Sequence, residues 1–253
     1  MPILRRLVFT ILVTFITVFF SEKAYWYPTG YPIFELILFY SPIVYASLWA
    51  IDAFKVRSLS GLILVSALYA FLVEGVFTPV LYEGGIFNPT MAAYFIGWHG
   101  LLGIIFGFYF IRRWLVNREW VRLMLGSIGF GIFWGGWSLA YWLPQYALDY
   151  EQSTYWSPLE FGLHALVFTI MLIVAHLLLT FGSWEGNFEP TTIEKVMIVL
   201  ILIFFYVAQS FPGAPFGLIM LIPLCLLVFA ALWGQSRRFS GTVESALSQL
   251  NRP

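Results

Sequence analysis

Long apolar stretches separated by short polar segments run the length of this 253-residue chain. A helix needs about 20 mostly apolar residues to cross a bilayer, at a rise of about 1.5 Å per residue. Eight stretches qualify, and the seventh is the shortest: Leu7–Ala24, Ile33–Ile51, Leu59–Val80, Met91–Ile111, Leu123–Leu143, Leu159–Phe181, Val196–Phe211 and Phe216–Trp233. The pattern predicts an all-α, polytopic integral membrane protein with about eight transmembrane helices, surrounded by the lipid bilayer.

The positions of Lys and Arg predict how these helices are oriented, because basic residues collect in cytoplasmic segments. If the N-terminus is cytoplasmic, twelve of the 13 basic residues fall on that side and only Lys23 falls outside. The twelve are Arg5, Arg6, Lys55, Arg57, Arg112, Arg113, Arg118, Arg122, Lys195, Arg237, Arg238 and Arg252. We therefore expect a multi-pass protein of the cell membrane with both the N- and C-termini cytoplasmic.

The chain is predicted to form a single membrane domain over residues 1–253, of which 235–253 form a short polar cytoplasmic tail. The outer segment AYWYP at 24–28 is similar to AYWLP at 140–144. Two tandem four-helix groups, residues 1–121 and 122–234, would explain that similarity as a parallel repeat. Tyr, Trp and Pro also collect at any outer membrane interface, so independent recruitment of the same residue types remains the alternative.

Composition excludes several classes of protein. Apolar residues make up 60% of the chain and charged residues only 10%, too few for a water-facing surface. The 13 basic and 13 acidic residues balance, whereas nucleic-acid binding requires a clustered basic excess. The single cysteine, Cys225, excludes a disulfide framework and a zinc site built from cysteines.

Polar side chains inside the predicted helices are the strongest indication of function, since they are costly in hydrocarbon and usually functional. Glu74 in the third helix and His99 in the fourth are the first candidates. Glu160 and His164 are the next, and their spacing of four puts both on one face of the sixth helix. All four lie in the outer half of the membrane. We expect them to form one carboxylate–imidazole pocket that is open to the outer side.

Such a pocket would suit three kinds of chemistry. Glu74 and His99 could act as acid and base on a lipid-borne substrate, or Glu74 could carry a proton in coupled transport. The third kind is ligation of a metal, or of a haem between His99 and His164. None of these identifies a particular metal or cofactor. The structural alternative is that Glu74 and His99 hydrogen-bond each other and lock the packing, that Glu160 and Glu35 complement helix dipoles, and that His176 serves packing.

Glycines recur at close spacing in two predicted helices. The pairs Gly103–Gly107 and Gly131–Gly135 follow the small-xxx-small pattern, which indicates close helix packing. The functional alternative is a smooth groove for an isoprenoid or acyl chain, walled by Phe130, Phe133, Trp134 and Trp137.

The leading functional hypothesis is a membrane-embedded enzyme or binding protein that acts on an apolar, lipid-like substrate, acyl or isoprenoid, through the outer-half pocket. The first alternative is a proton-coupled permease. The second is a non-catalytic subunit of a larger membrane complex, with other membrane proteins as partners. A permease should carry polar groups through both halves of the membrane, whereas an enzyme can keep them on one side.

Overall fold

The computed structural model describes residues 1–24, 32–83, 88–142, 157–182, 184 and 187–238. These residues form helices and contain no strand. Eight long helices follow one another: α1 Ile3–Lys23, α2 Ile33–Ala53, α3 Leu59–Phe77, α4 Pro89–Val116, α5 Trp120–Trp142, α6 Pro158–Phe181, α7 Thr192–Ser210 and α8 Leu218–Arg238. A short 3₁₀ turn, Pro79–Tyr82, follows α3. The all-α prediction is confirmed.

Seven helices in the described part of the chain, α1 to α4 and α6 to α8, are long and apolar enough to cross a membrane. The predicted fifth stretch, Leu123–Leu143, lies almost entirely within α5. The count of eight spans stays a prediction. So does the repeat, since residues 25–28 and 143–144 of its two matching segments lie outside the described residues.

Polar residues at the helix starts explain where several helices begin. Ser157 caps α6 and Thr191 caps α7, each in a capping box with a glutamate three residues later. Asn88 caps α4 by accepting from two backbone N–H groups. Between α7 and α8, residues 211–217 form turns that contain Pro212 and Pro215. The helix does not continue through them because proline cannot donate the backbone hydrogen bond that a helix requires.

The buried core lies among α1, α2, α3 and α4. Helix α1 packs against α2, α4 and α6, while α3 packs against α2, α4 and α8. Most of α1 and α3 is buried, whereas α6, α7 and α8 leave most of their apolar surface exposed. An apolar exterior of this kind is what a lipid-facing ring of helices requires.

Four helices contain π-helical turns, which are wider than α-helical ones. They are Phe19–Lys23 at the end of α1, Val73–Phe77 at the end of α3, Ile96–Phe110 within α4 and Tyr206–Ser210 at the end of α7. Short π segments inside α-helices are often found at functional sites. Three of the four lie at the predicted outer end of their helix, which we call the outer end of the bundle.

The glycine predictions are confirmed for α4 only. A Cβ on Gly100 would lie 2.6 Å from the carbonyl oxygen of Ser66, and one on Gly103 would lie 3.5 Å from that of Thr17. Helix α4 therefore approaches the backbones of α3 and α1 closely. In α5 the prediction is wrong, because a Cβ on Gly131 or Gly135 would meet no described atom within 4 Å.

Aromatic rings hold α5 against the core instead. Phe130 lies 4.7 Å from Phe20, and Trp134 lies 5.3 Å from Phe19, between ring centroids. Two walls of the predicted acyl or isoprenoid groove are thus core contacts. Gly131 and Gly135 directly follow these two rings in the sequence, so they lie on a different face of α5 from the one that packs on the core.

Candidate functional site

Glu74 and His99 face each other inside the core, at the outer end of the bundle. His99 Nε2 contacts Glu74 Oε1 across the interface between α3 and α4. Glu74 is 5% exposed and His99 is 3% exposed. The predicted contact between these two residues is therefore present, and the pair is shielded on all sides by the helices.

A second carboxylate completes the arrangement. Glu22, near the end of α1, places Oε1 4.0 Å from His99 Nδ1. The imidazole ring thus has a carboxylate beyond each of its nitrogens. Glu22, Glu74 and His99 are called the outer cluster below.

Two hydroxyl groups extend the outer cluster at its ends. Tyr40 in α2 donates a hydrogen bond to Glu22 Oε1. Thr78 Oγ1 donates to Glu74 Oε2 at 2.7 Å. Thr78 thus binds one oxygen of Glu74 and leaves the other for His99, whereas Tyr40 binds the Glu22 oxygen nearest to His99, and His99 Nδ1 forms no hydrogen bond with a described residue.

All three members of the outer cluster lie on π-helical turns. Glu22 belongs to Phe19–Lys23, Glu74 to Val73–Phe77 and His99 to Ile96–Phe110. The wider turn changes the direction in which side chains leave a helix. The ring of His99 is further fixed by Phe95, at 5.8 Å between centroids, and by Tyr40, at 6.5 Å.

The arrangement can hold and move a proton. A neutral imidazole has one donor and one acceptor nitrogen, whereas an imidazolium has two donors. If His99 is an imidazolium, both carboxylates can be ionised. If His99 is neutral and Nε2 is its acceptor nitrogen, Glu74 must carry the proton on the oxygen that contacts it. Burial makes charge separation costly in this place.

His164 and Glu160 occupy other places. His164 Nε2 lies 2.7 Å from the carbonyl oxygen of Lys23, and its ring packs against Phe168 and Trp134. Glu160 is exposed and accepts from the backbone N–H and hydroxyl of Ser157 in the capping box of α6. The structure therefore brings Glu74 and His99 together, whereas His164 lies against α1 and Glu160 serves the start of α6.

The expectation of one four-residue pocket is corrected accordingly, and helix capping explains Glu160. A carboxylate at the third helical position reaches back to the free backbone donor of the cap, and this holds it at the helix end. His164 is turned toward α1 because the Lys23 carbonyl, near the helix end, offers a hydrogen bond to its ring.

Glu22 and Tyr40 are the site residues that sequence reasoning missed. Glu22 stands in the polar run Ser21-Glu22-Lys23 at the end of the first apolar stretch, and it was not among the candidates. The available signal was Tyr40, a residue with a polar tip seven positions inside the apolar second stretch. A buried tyrosine hydroxyl normally needs a partner, and Glu22 is the partner here.

A second polar group joins α1, α2 and α7 at the opposite, inner end of the bundle. Arg6 donates from Nε to Glu194 Oε1 at 3.0 Å and from Nη2 to Glu194 Oε2 at 2.5 Å. Tyr45 also donates to Glu194 Oε1, at 2.7 Å. Arg6, Tyr45 and Glu194 are called the inner clamp. Its bidentate geometry and its role in the capping box of α7 indicate a structural function.

His176 lies in the inner half of the bundle, as predicted. It is 3% exposed, and neither ring nitrogen forms a hydrogen bond with a described residue. The neighbouring charge is that of Arg112, itself buried near the end of α4. His176 is separate from the outer cluster in position and in environment.

Among the described residues, no group of three His, Cys, Asp or Glu side chains is placed to hold a metal ion. Nε2 of His99 contacts Glu74, and Nε2 of His164 lies against the Lys23 carbonyl.

No protein-family model, no curated protein and no solved structure matches the chain.

Proposed function

We propose that this chain is an integral membrane protein of eight spans whose outer cluster performs acid–base chemistry on an apolar, lipid-like substrate. The observation that carries the proposal is the placement of His99 between two carboxylates, Glu74 and Glu22, inside an apolar helical core. An imidazole between two buried carboxylates can accept a proton from one side and deliver it to the other.

Membrane insertion is supported by the apolar exterior. The exposed large hydrophobic residues are concentrated on the peripheral helices α5 to α8, for example Ile132, Leu163, Phe204 and Leu227. Exposed to water, so much contiguous apolar surface would be very unfavourable. With the basic residues cytoplasmic, the outer cluster lies in the outer half of the membrane.

Differences in exposure within the cluster indicate where a substrate would enter. The side chain of Glu22 is 20% exposed, against 7% for Glu74 and 4% for His99. A ligand from the outer leaflet would therefore meet Glu22 first. We propose that Glu22 contacts the substrate and that His99 and Glu74 set its state of protonation.

The test is to purify the full chain in mild detergent and to identify bound apolar molecules by native mass spectrometry. We expect a specific apolar species in the wild type. In Glu74→Gln the shape and hydrogen bonds of the side chain are kept but proton exchange is lost, so the bound species should shift toward unconverted substrate. A stable Glu74→Gln protein with the same bound species as the wild type would contradict the acid–base proposal.

A proton-coupled permease is the second candidate, and one observation favours it. Buried hydroxyl side chains follow α1 from the outer cluster into the inner half of the bundle, where the sequence alone suggested few polar groups. A wild-type protein that carries only bulk lipid but moves protons in liposomes would support the permease. A protein that does neither and co-purifies with another membrane protein would support the subunit hypothesis.

A further inference from the structure

One buried face of α1 carries a row of hydroxyl groups. Thr10, Thr14, Thr17 and Ser21 are spaced by four, three and four residues, which places them on a single face of a helix. Each is between 0% and 2% exposed. The row starts one turn after Arg6 of the inner clamp and ends beside Glu22 of the outer cluster. We call these four residues the hydroxyl row.

Three members of the hydroxyl row bond to the backbone of their own helix. Thr10 donates to the carbonyl of Arg6 at 2.8 Å, Thr17 to that of Thr14 at 3.0 Å and Ser21 to that of Thr17 at 2.7 Å. Each hydroxyl oxygen still has lone pairs with which to accept a further bond. Thr14 differs, since its Oγ1 forms no hydrogen bond with any described residue.

A tyrosine on the facing helix extends the row. Tyr69 in α3 is 0% exposed, and its hydroxyl faces the side chains of Thr17 and Ser21. Thr14 and Tyr69 are thus two fully buried hydroxyl groups. Tyr69 lies at the level of Thr17, which is three residues, or about 5 Å, along α1 from Thr14.

Helix α4 shapes the space beside the hydroxyl row. Gly103 presents no side chain to Thr17, and Trp98 Nε1 donates to the carbonyl of Ser21 at 2.9 Å. A buried hydroxyl without a partner costs about 1–3 kcal/mol, and native proteins usually satisfy such groups with protein or with internal water. The unsatisfied hydroxyl of Thr14, within a buried polar row that Tyr69 also faces, therefore indicates bound water.

We propose that the hydroxyl row binds a file of internal water and forms a proton path from the outer cluster to the inner clamp. The path rests on the proposed function, because it supplies or removes the proton that the outer cluster exchanges. Each water or hydroxyl accepts one proton on one side and releases another on the other side. One proton taken up at one end thus leaves at the other, and the O–H bonds of the path then rotate back before the next transfer.

The inner clamp closes the path at its inner end. Arg6 and Glu194 are bonded through both carboxylate oxygens, and Arg6 is 5% exposed. Release of a proton to the inner side would require this clamp to open. The path thus connects the outer cluster to the inner side through an ion pair that can separate.

Cysteine accessibility tests the path directly. In the full chain with Cys225→Ala, one variant carries Thr14→Cys and the matched control carries Ile16→Cys, which is equally buried at 0% exposure but lies outside the hydroxyl row. Silver ion is the probe, because it binds thiols and enters paths that are just wide enough for water. The readout is the fraction of thiol protected from alkylation after denaturation, measured by mass spectrometry.

We expect silver to modify position 14 about tenfold faster than position 16, or more, since internal water gives the ion a polar route that dry packing lacks. Equal and slow modification of both positions, in variants with the thermal stability of the parent, would overturn the path. The result is independent of activity. If silver does not modify Thr14→Cys but Glu74→Gln is inactive, the path is wrong and the acid–base proposal stands. If silver modifies Thr14→Cys but Glu74→Gln is fully active, the acid–base proposal is wrong and the path stands.

A second variant covers the case in which a cysteine at position 14 perturbs the helix. Tyr69→Phe removes the hydroxyl that faces Thr17 and Ser21 and keeps the ring. If water fills the row, this change should slow silver modification at a cysteine placed at Thr17, and Tyr69→Phe should not alter modification of Ile16→Cys. Unchanged modification at position 17 would contradict a path that includes Tyr69.

Discussion

At the scale of single residues, Glu22, Glu74 and Glu194 have different surroundings and therefore different roles. Glu194 is held by Arg6, Tyr45 and the cap of α7, so each of its oxygens has a fixed partner. Glu74 and Glu22 have one hydroxyl donor each and share a single imidazole. A group with fixed partners stabilises the fold, whereas groups that share a proton can exchange it.

The inner clamp gives a stability prediction. Arg6→Ala should destabilise the protein by about 3–5 kcal/mol, because it leaves the Glu194 carboxylate buried without its charged partner. The double variant Arg6→Met with Glu194→Leu should be less destabilising than the sum of the two single changes, because it leaves no buried charge without its partner. Thermal unfolding in detergent measures both effects.

The control is the exposed ion pair between Arg122 and Glu119, in which the Arg122 side chain is 67% exposed. Arg122→Ala should cost about 0–1 kcal/mol, as exposed pairs do. If Arg6→Ala proved as mild as Arg122→Ala, the inner clamp would not be a structural contact.

At the scale of helices, apolar pattern predicted the elements well. The predicted second stretch begins at Ile33 and the sixth ends at Phe181, the same residues at which α2 begins and α6 ends. Apolar length predicts these bounds because a lipid-exposed helix must satisfy its own backbone. The π-helical turns were not predicted, since they arise from contacts between helices rather than from a periodicity in the chain.

Two glycines within α4 test how closely that helix approaches α3. Gly100→Ala should lower the thermal stability by an amount equivalent to about 1–3 kcal/mol, because the new methyl group would meet the Ser66 carbonyl, a backbone atom that cannot move aside. The same change should disturb the outer cluster, since His99 is the preceding residue.

Gly97→Ala is the matched control, because a Cβ there would meet no described atom within 4 Å. It should leave stability unchanged or raise it by about 0.5–1 kcal/mol, since alanine favours a helix over glycine. Comparable losses for both variants would mean that α4 is sensitive to any alanine and that close approach to Ser66 is not the cause.

At the scale of the whole molecule, the charge asymmetry predicts topology but not which polar residues meet. Glu74 and His99 were identified because both lie within apolar stretches, where polar groups are conspicuous. Their partner Glu22 was not, since depth in the membrane does not reveal which helices are neighbours. The grouping of α1 to α4 into one core depends on packing between helices that are distant in sequence, and apolar pattern does not encode it.

Topology can be measured with cysteines in a Cys225→Ala background. We expect an impermeant thiol reagent, added to intact cells, to label cysteines at Gly84 and Gln152 but not at Val116 or Gly186. The reason is that this arrangement leaves twelve of the 13 basic residues cytoplasmic. Labelling of position 116 from outside would show that the orientation is the opposite one, with the outer cluster on the cytoplasmic side.

The most direct test of the central claim is whether the outer cluster holds an exchangeable proton. Infrared difference spectroscopy of the purified protein, recorded as pH changes, detects a protonated carboxyl group through its carbonyl stretch. We predict one such band in the wild type, absent or shifted in Glu22→Gln and in Glu74→Gln, because each variant removes one of the two carboxyl groups beside His99. Glu160→Gln, which changes an exposed capping carboxylate, should leave the band intact. A band unaffected by either cluster variant, or no band in the wild type at any pH, would contradict the account.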